Sequence, residues 1–234
     1  MVISGFMNTT LLDYPGHVAA TVFTGGCNFR CPFCHNGDIV ISPVGKYSDD
    51  EVLQYLNKRK NVLDGVCITG GEPTLQRDLP EFICKIKSMG LKVKLDSNGY
   101  QPDAIAKLLE GNLLDYVAMD VKAPLEKYGE CVGIDDFDTG TITSSIDILM
   151  NSGVEYEFRT TFVKGLHVIE NMHRIGEMIK GATAYYIQSY KNSEAELGHI
   201  MNCDTGFSAF SREELERILA IAGQYCQASL RGID

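Results

Sequence analysis

The amino-acid sequence predicts an α/β protein of parallel strands, and three observations lead to this prediction. Short apolar, β-branched runs alternate with amphipathic stretches along the 234 residues, and a glycine follows four of those stretches. Polar and charged clusters follow the apolar runs, where the carboxyl ends of parallel strands would bring them to one edge. A chain of this length can bury a substantial core, and we expect one domain over residues 1–234.

Six apolar runs have the continuous hydrophobic character of strands that are buried on both faces. They are "VAATVF" (18–23), "GVCIT" (65–69), "KVKLD" (92–96), "YVAMD" (116–120), "YEFRTTF" (156–162) and "AYYIQ" (184–188).

The stretches between these runs have the apolar spacing of helices. The first, "SDDEVLQYLNKRKNV", starts from a Ser48 cap. Four others end on Gly90, Gly111, Gly153 and Gly181, and a glycine just past a helix supplies the left-handed residue that ends it. A last helix over about residues 211–226 is expected to close the chain.

Strict alternation of strands and helices requires parallel strands joined by right-handed crossovers. A barrel-like sheet and a doubly wound sheet both remain open. In either architecture the carboxyl ends of the strands form one functional rim. The motifs at that rim are "TGGEPT", "DSNG", "MDVK" and "QSY" after the second, third, fourth and sixth strands, with "RTTF" inside the fifth.

Composition and charge exclude several classes of protein. The net charge of −10 disfavours nucleic acid as a partner, because no basic stripe faces phosphates. The first residues lack a basic segment with an apolar core, and no run of about 18 apolar residues follows, so we expect a cytoplasmic protein without a membrane span. In that reducing compartment the eight cysteines indicate metal binding or redox chemistry rather than disulfides.

Three of the cysteines, Cys27, Cys31 and Cys34, lie in a loop over residues 25–36 after the first strand. A zinc site would need His35 as its fourth ligand, and the adjacency of His35 to Cys34 makes tetrahedral ligation awkward. "CPFCH" matches the haem attachment pattern but leaves Cys27 without a role. A four-iron cluster held by three thiolates, with one iron free for a substrate or cofactor, is favoured.

The other five cysteines form no short-spaced pair, so a second cluster is not expected and they are interpreted as packing residues. They are Cys67, Cys84, Cys131, Cys203 and Cys226.

This loop resembles the signature of the radical S-adenosylmethionine (SAM) superfamily, C-x-x-x-C-x-aromatic-C, in which Phe33 is the aromatic residue. The segment "TTLLDYPGHVAATVFTGGCNFRCPFCHN" is also similar to activases of glycyl radical enzymes, above all those of anaerobic ribonucleoside-triphosphate reductases. The resemblance implies a partial (β/α)6 barrel with a [4Fe-4S] cluster at its open rim. It also implies reductive cleavage of SAM to a 5'-deoxyadenosyl radical, which takes a hydrogen atom from a backbone glycine of a partner enzyme. A flavodoxin or ferredoxin-type donor would supply the electron.

The resemblance further implies a role for each rim motif. Gly70 and Gly71 would let the backbone approach SAM, Glu72 would receive its ammonium group, and Ser97 and Asn98 would bind the ribose hydroxyls. Asp96, Asp120 and Lys122 would surround the SAM carboxylate and an accompanying monovalent cation. Arg159 would reach the methionyl carboxylate of SAM, and Phe33 would pack beside the adenine. Gln188, on the sixth strand, would make a polar contact with SAM.

Several of these residues could instead have a purely structural role. "GGEP" is also a turn, and Phe33 is also a core residue. Asp96 and Asp120 would then be strand-end residues or partners of Lys122 in an ordinary ion pair, and Arg159 would pair with Glu157. His17, His167, His173 and His199 are interpreted as surface or structural residues.

The choice of substrate also has alternatives. The match through "DYPG", and the prediction of only one helix after the sixth strand, favour a laterally open barrel that admits a loop of a large partner. A radical SAM enzyme that acts on a small molecule or peptide is the enzymatic alternative. A zinc-binding or haem-binding module without catalysis is the other.

Overall fold

The computed structural model describes residues 1–201 and 206–233. The strands within these residues form one sheet whose spatial order is the same as their order along the chain. The eight strands are β1 (Ile3–Thr10), β2 (Ala19–Thr24), β3 (Gly65–Gly70), β4 (Lys92–Ser97), β5 (Tyr116–Asp120), β6 (Glu155–Phe162), β7 (Tyr185–Ser189) and β8 (Ala228–Arg231). β1 runs antiparallel to β2, and each later neighbouring pair is parallel.

This strand order decides between the two architectures that the sequence leaves open. A doubly wound sheet reverses its strand order at a switch point, whereas the strands here follow one another without reversal. Right-handed crossovers repeated in one direction place the connecting helices on one face of the sheet. The fold is therefore α/β with a partial barrel, and β1 and β8 are the edges of the sheet among the described residues.

The six predicted strands are confirmed as β2 to β7, each within one residue of its predicted bounds. The two edge strands were missed. β1 contains Gly5 and Asn8 and is exposed at its centre, so it lacks the apolar run of a buried strand. The prediction that a helix closes the chain is wrong, because that helix ends at Ala222 and a turn leads into β8.

Nine α-helices lie within the described residues, and six of them were predicted. The first predicted helix starts as expected, since the Ser48 hydroxyl accepts the Glu51 N–H and the Glu51 carboxylate accepts the Ser48 N–H. The three missed α-helices are the shortest, and they contain too few residues to show the helical spacing of apolar side chains. The helices are α1 (Gly37–Ile41), α2 (Asp49–Arg59), α3 (Leu79–Ser88), α4 (Pro102–Glu110), α5 (Tyr128–Val132), α6 (Thr139–Asn151), α7 (Asn171–Met178), α8 (Leu197–Ile200) and α9 (Arg212–Ala222).

Glycine ends three helices in the predicted way, with φ values of 83° at Gly90, 74° at Gly153 and 88° at Gly181. The prediction for Gly111 is wrong, since its φ is −75° and its conformation is right-handed. The left-handed residue is Asn112, at φ 52°. Asparagine is the residue that most readily replaces glycine in this conformation, because its short polar side chain can bond to nearby backbone.

The two faces of the central strands differ in chemistry, because successive side chains point to opposite faces. On β4, Val93 and Leu95 are buried apolar residues, and Lys94 between them is 2% exposed. On β6, Glu157 is buried between Tyr156 and Phe158. Buried charges therefore lie on one face of the sheet and lead towards the carboxyl ends of the strands.

None of the helices in residues 1–201 and 206–233 is long and apolar enough to cross a membrane.

Candidate active site

A cavity of about 360 Å³ lies at the carboxyl ends of the parallel strands. It brings together almost all of the side chains that the sequence singled out, although they come from loops up to about 160 residues apart in the chain. The predicted residues that line it are Cys27, Cys31, Phe33, Cys34, Gly70, Gly71, Asp96, Ser97, Asn98, Asp120, Lys122, Arg159 and Gln188. Glu72 is the one predicted residue that does not line it.

Backbone hydrogen bonds fix the cysteine loop at both ends. The N–H of Gly25 donates to the Val2 carbonyl at 2.9 Å, and the N–H of Gly26 donates to the Ile39 carbonyl at 2.8 Å. At the other end, the Cys34 carbonyl accepts the N–H of Leu197 at 2.9 Å. The segment that starts α8 thus supports the loop from behind, a role that sequence reasoning missed.

The three thiols lie in a desolvated environment that favours their neutral form. Burial raises the pKa of Cys27 to about 11, although the Phe29 N–H, 3.3 Å from its sulfur, acts in the opposite direction. Burial also raises the pKa of Cys31 and Cys34. The thiols therefore keep their protons until a metal displaces them, and metal binding would release those protons.

The residues of the cavity fit a cluster. Cys27, Cys31 and Cys34 line the cavity together. A cluster distributes its thiolates over separate irons. The buried Nδ2 of Asn28, beside Cys27, also has no partner in the described part of the chain, so a donor is available to a bound group.

Glu72 lies behind the cavity wall, fully buried. Its Oε1 accepts from the Ser97 hydroxyl at 3.0 Å and from Thr74, and its Oε2 accepts the Asn98 N–H at 2.7 Å. Burial raises the pKa of the carboxyl, and these hydrogen bonds oppose that rise. The carboxylate thus holds in place the two residues that the sequence assigned to the ribose.

Two glycines before Glu72 allow backbone segments to meet. A Cβ on Gly71 would lie 1.9 Å from the Gly26 carbonyl oxygen, and one on Gly70, whose φ is +119°, would lie 2.4 Å from Thr24 backbone atoms. The N–H groups of Gly71 and Glu72 donate to Thr24 and Gly26. The first requirement for glycine here is therefore contact with the cysteine loop.

Charged side chains form a connected network beneath the thiols. The Arg159 guanidinium donates to Asp120 Oδ1 at 2.9 Å and to Asp96 Oδ2 at 3.1 Å. Lys122 Nζ donates to Asp120 Oδ2 at 2.8 Å, and Lys94 Nζ donates to Asp96 Oδ1. Burial alone would raise the pKa of both carboxyls, but Arg159 and the two lysines outweigh it, so the pKa of each lies below its usual range.

The alternative partner of Arg159, Glu157, is engaged elsewhere. Its carboxylate is 4.0 Å from the Arg159 guanidinium. It accepts two hydrogen bonds from Arg231 at 2.8 and 3.0 Å and one from Tyr116 at 2.8 Å. Arg159 is therefore bound chiefly to the carboxylates of the cavity, while the expected ion pair of Asp120 with Lys122 is present.

Further hydrogen bonds hold the residues of the cavity in place. Asn36 Nδ2 donates to the Gly70 carbonyl at 2.8 Å, and Asn98 Nδ2 donates to Asn28 Oδ1 at 2.8 Å. The buried ring of His167 bonds to the Lys122 carbonyl, in agreement with a structural role. The "CHN" motif contains Asn36, whereas nothing in the sequence indicated the contact between Asn98 and Asn28.

The remaining cysteines are scattered. Cys67 and Cys131 are buried, Cys84 is exposed on α3, and Cys226 is half-buried after α9. Cys203 lies outside the described residues. Among the described ones, none belongs to a group that could hold a metal ion.

Comparison with known proteins identifies the class to which this fold and site belong. A family model described as the Radical SAM superfamily matches residues 21–180, which include the cysteine loop and β3 to β6. The chain belongs to the radical SAM superfamily and is an enzyme of that class. A [4Fe-4S] cluster and SAM, which define the class, are its cofactors.

Two relatives have names that describe a more specific activity. A protein of Methanocaldococcus jannaschii, provisionally named as a glycyl-radical enzyme activating enzyme, is 33% identical over 198 residues, 83% of this chain and 82% of the relative. The pyruvate formate-lyase-activating enzyme of Clostridium pasteurianum is 31% identical over 186 residues, 73% of this chain and 72% of the relative. The chain is thus homologous to activating enzymes of glycyl radical enzymes.

Solved structures support the fold. Streptococcus suis SuiB bound to S-adenosylmethionine superposes with a TM-score of 0.64 at 13% identity, over 89% of this chain and 49% of SuiB. The chain therefore spans about half the length of SuiB.

Proposed function

We propose that this enzyme activates a glycyl radical enzyme by removing a Cα hydrogen atom from one of its glycine residues. The observation that carries the proposal is that three thiols and the polar residues assigned to SAM share one cavity at the rim of the sheet. The homology to two activating enzymes, over most of the length of each, supports this choice of substrate.

In this proposal Cys27, Cys31 and Cys34 hold the cluster and leave one iron for SAM. When bound, the cluster and SAM supply one-electron chemistry that cleaves SAM and generates a species able to remove a hydrogen atom. The protein contributes binding, orientation and exclusion of water.

Different walls of the cavity would bind different parts of SAM. Ser97 and Asn98, fixed by Glu72, would meet the ribose hydroxyls. The ammonium group would meet the backbone around Gly70 and Gly71, because the Glu72 side chain lies behind the wall. Lys122, whose Nζ is 6.0 Å from the Phe33 ring centre, would meet the carboxylate, with Phe33 beside the adenine. Gln188 would add a polar contact from β7.

We further propose anaerobic ribonucleoside-triphosphate reductase as the partner and a flavodoxin or ferredoxin-type protein as the electron donor. The segment from Thr9 to Asn36, through "DYPG" and "CHN", supports this partner by its similarity to such activases. A cytoplasmic location would suit the buried, reduced thiols.

The test is electron paramagnetic resonance after anaerobic incubation of the reduced, cluster-loaded enzyme with SAM and a candidate partner. A glycyl radical doublet with the reductase, and none with pyruvate formate-lyase, would support both parts of the proposal. A partner in which the target glycine is replaced by alanine is the control. Formation of 5'-deoxyadenosine with a small substrate, and no doublet with either partner, would contradict the proposal.

A further inference from the structure

We infer that the Arg159 guanidinium takes the place of a monovalent metal ion in the SAM cavity, so that SAM binding in this protein needs no such ion. The inference rests on this cavity being the SAM site, and it is independent of which partner enzyme is activated.

The position of the guanidinium carries the inference. Asp96 is the last residue but one of β4 and Asp120 ends β5, so two carboxylates from adjacent strands face the same space. Arg159 from β6 lies between them, with Nε 2.9 Å from Asp120 and Nη1 3.1 Å from Asp96. Its side chain is 13% exposed and lines the cavity, so it occupies the place that a bound cation would take.

Every oxygen of the two carboxylates already accepts a hydrogen bond from a cationic side chain. Each carboxylate has two oxygens, and Arg159 binds one on each. Lys122 binds the second oxygen of Asp120, and Lys94 binds the second oxygen of Asp96. Alkali and alkaline-earth ions require several oxygen ligands at once, and all four oxygens here already accept from cationic donors.

The charges of this network also leave no need for an added cation. Three cations, Lys94, Arg159 and Lys122, face two carboxylates, which leaves one net positive charge. Glu157 does not neutralise this positive charge, because its carboxylate is paired with Arg231. One excess positive charge matches the single carboxylate of the methionyl group of SAM.

A guanidinium suits this position for a physical reason. Its planar fork can bond to two carboxylates at fixed angles, and it remains charged when buried. Because it is covalently part of β6, its occupancy does not depend on salt concentration, whereas the occupancy of a bound ion does.

The experiment measures SAM binding to the cluster-loaded enzyme by anaerobic equilibrium dialysis, in potassium, sodium or tetramethylammonium chloride at equal ionic strength. We expect the dissociation constant of the unaltered enzyme to agree within about twofold among the three salts. In tetramethylammonium, Arg159→Ala should weaken SAM binding about tenfold or more, because two buried carboxylates lose a partner. Potassium or sodium should restore part of that loss, since either ion can enter the vacated space.

A second readout uses the chain without its cluster. Its thermal unfolding midpoint should be the same in all three salts, whereas that of Arg159→Ala should rise with potassium or sodium. Arg231→Ala is the matched control, because it also removes an arginine from a buried carboxylate but outside the cavity, and it should gain no ion dependence. If Arg159→Ala does not fold, Arg159→Gln removes the same positive charge with a smaller change in volume.

Two outcomes would overturn the inference. One is a severalfold gain in SAM affinity of the unaltered enzyme on adding potassium or sodium. The other is an Arg159 variant that folds and shows no ion dependence in either readout. Neither measurement involves a glycyl radical enzyme, so failure of the proposed partner would leave both results interpretable.

Discussion

Glu72 and Asn98 join two loops of the active site, since Glu72 Oε2 accepts the backbone N–H of Asn98 at 2.7 Å. Glu72 follows β3 and Asn98 follows β4, so this hydrogen bond crosses between adjacent βα loops. Both residues are buried, and a hydrogen bond from a buried N–H to a charged acceptor is among the stronger ones in proteins. The bond fixes the backbone that carries the Ser97 and Asn98 side chains, for which we propose contacts to the ribose.

We predict that Glu72→Gln weakens SAM binding about tenfold. A glutamine presents an NH₂ group to one of the donors around it, and an unpaired buried donor costs about 1–3 kcal/mol. Equilibrium dialysis with SAM measures the effect. Thr74→Val is the control, because Thr74 donates to the same carboxylate without contacting Ser97 or Asn98. Equal losses of affinity in the two variants would argue against a positioning role for Glu72.

Gly71→Ala is predicted to destabilise the protein by about 3 kcal/mol or more, as overpacking of a rigid site does. The added Cβ would lie 1.9 Å from the Gly26 carbonyl oxygen, which belongs to backbone and cannot turn aside. Denaturant unfolding of the cluster-free chain gives the free energy. Gly45→Ala, which meets no atom within 4 Å, should be close to neutral. A stable Gly71→Ala variant would contradict the close approach of the two loops.

Cys34→Ala should abolish SAM cleavage while leaving the protein soluble. The substitution would remove one of the three proposed cluster ligands, whereas the backbone contact of residue 34 with Leu197 does not need the side chain. Iron and sulfide content, together with 5'-deoxyadenosine release, are the measurements. Cys84→Ala, on the exposed face of α3, should retain both properties. SAM cleavage by Cys34→Ala would contradict a cluster held by three thiolates.

His167 predicts a pH dependence of stability. Its Nδ1 accepts the Val163 N–H at 3.1 Å and its Nε2–H donates to the Lys122 carbonyl at 2.9 Å, which requires a neutral ring. Burial lowers the pKa of His167. Because the unfolded ring takes up a proton at a higher pH than the folded one, the stability is complete above about pH 6.5 and falls as the pH decreases.

Through His167, the free energy of unfolding is expected to fall with decreasing pH by at most about 1.4 kcal/mol per pH unit. This slope applies from about pH 6.5 down to the pKa of His167 in the folded protein. Urea unfolding of the cluster-free chain across this window measures it. His167→Gln can keep both hydrogen bonds without titrating, so its slope should be smaller. An unaltered slope in His167→Gln would exclude His167 as the source.

The local features of this protein could be predicted from its sequence because each depends on neighbouring residues. Apolar, β-branched runs located β2 to β7, and the spacing of Cys27, Cys31 and Cys34 located the cluster loop. The motifs after each strand identified the residues of the cavity, since parallel strands bring their carboxyl ends together. The edge strands were missed, because an edge strand carries a weaker apolar signal and β8 is only four residues long.

The order of strands and the pairing of charges needed the tertiary structure. Strand register sets Arg159 opposite Asp120, and the β4–β5 register brings Asp96 alongside, so one guanidinium meets both carboxylates. From the sequence, the same arginine was equally compatible with a bond to Glu157. Likewise, "GGEP" indicated a turn near the ligand, but only packing against the cysteine loop turned Glu72 inward to hold Ser97 and Asn98. Residue types and spacing determined which side chains reach the rim, whereas register and close packing, which depend on contacts between distant segments, decided which partners they bind.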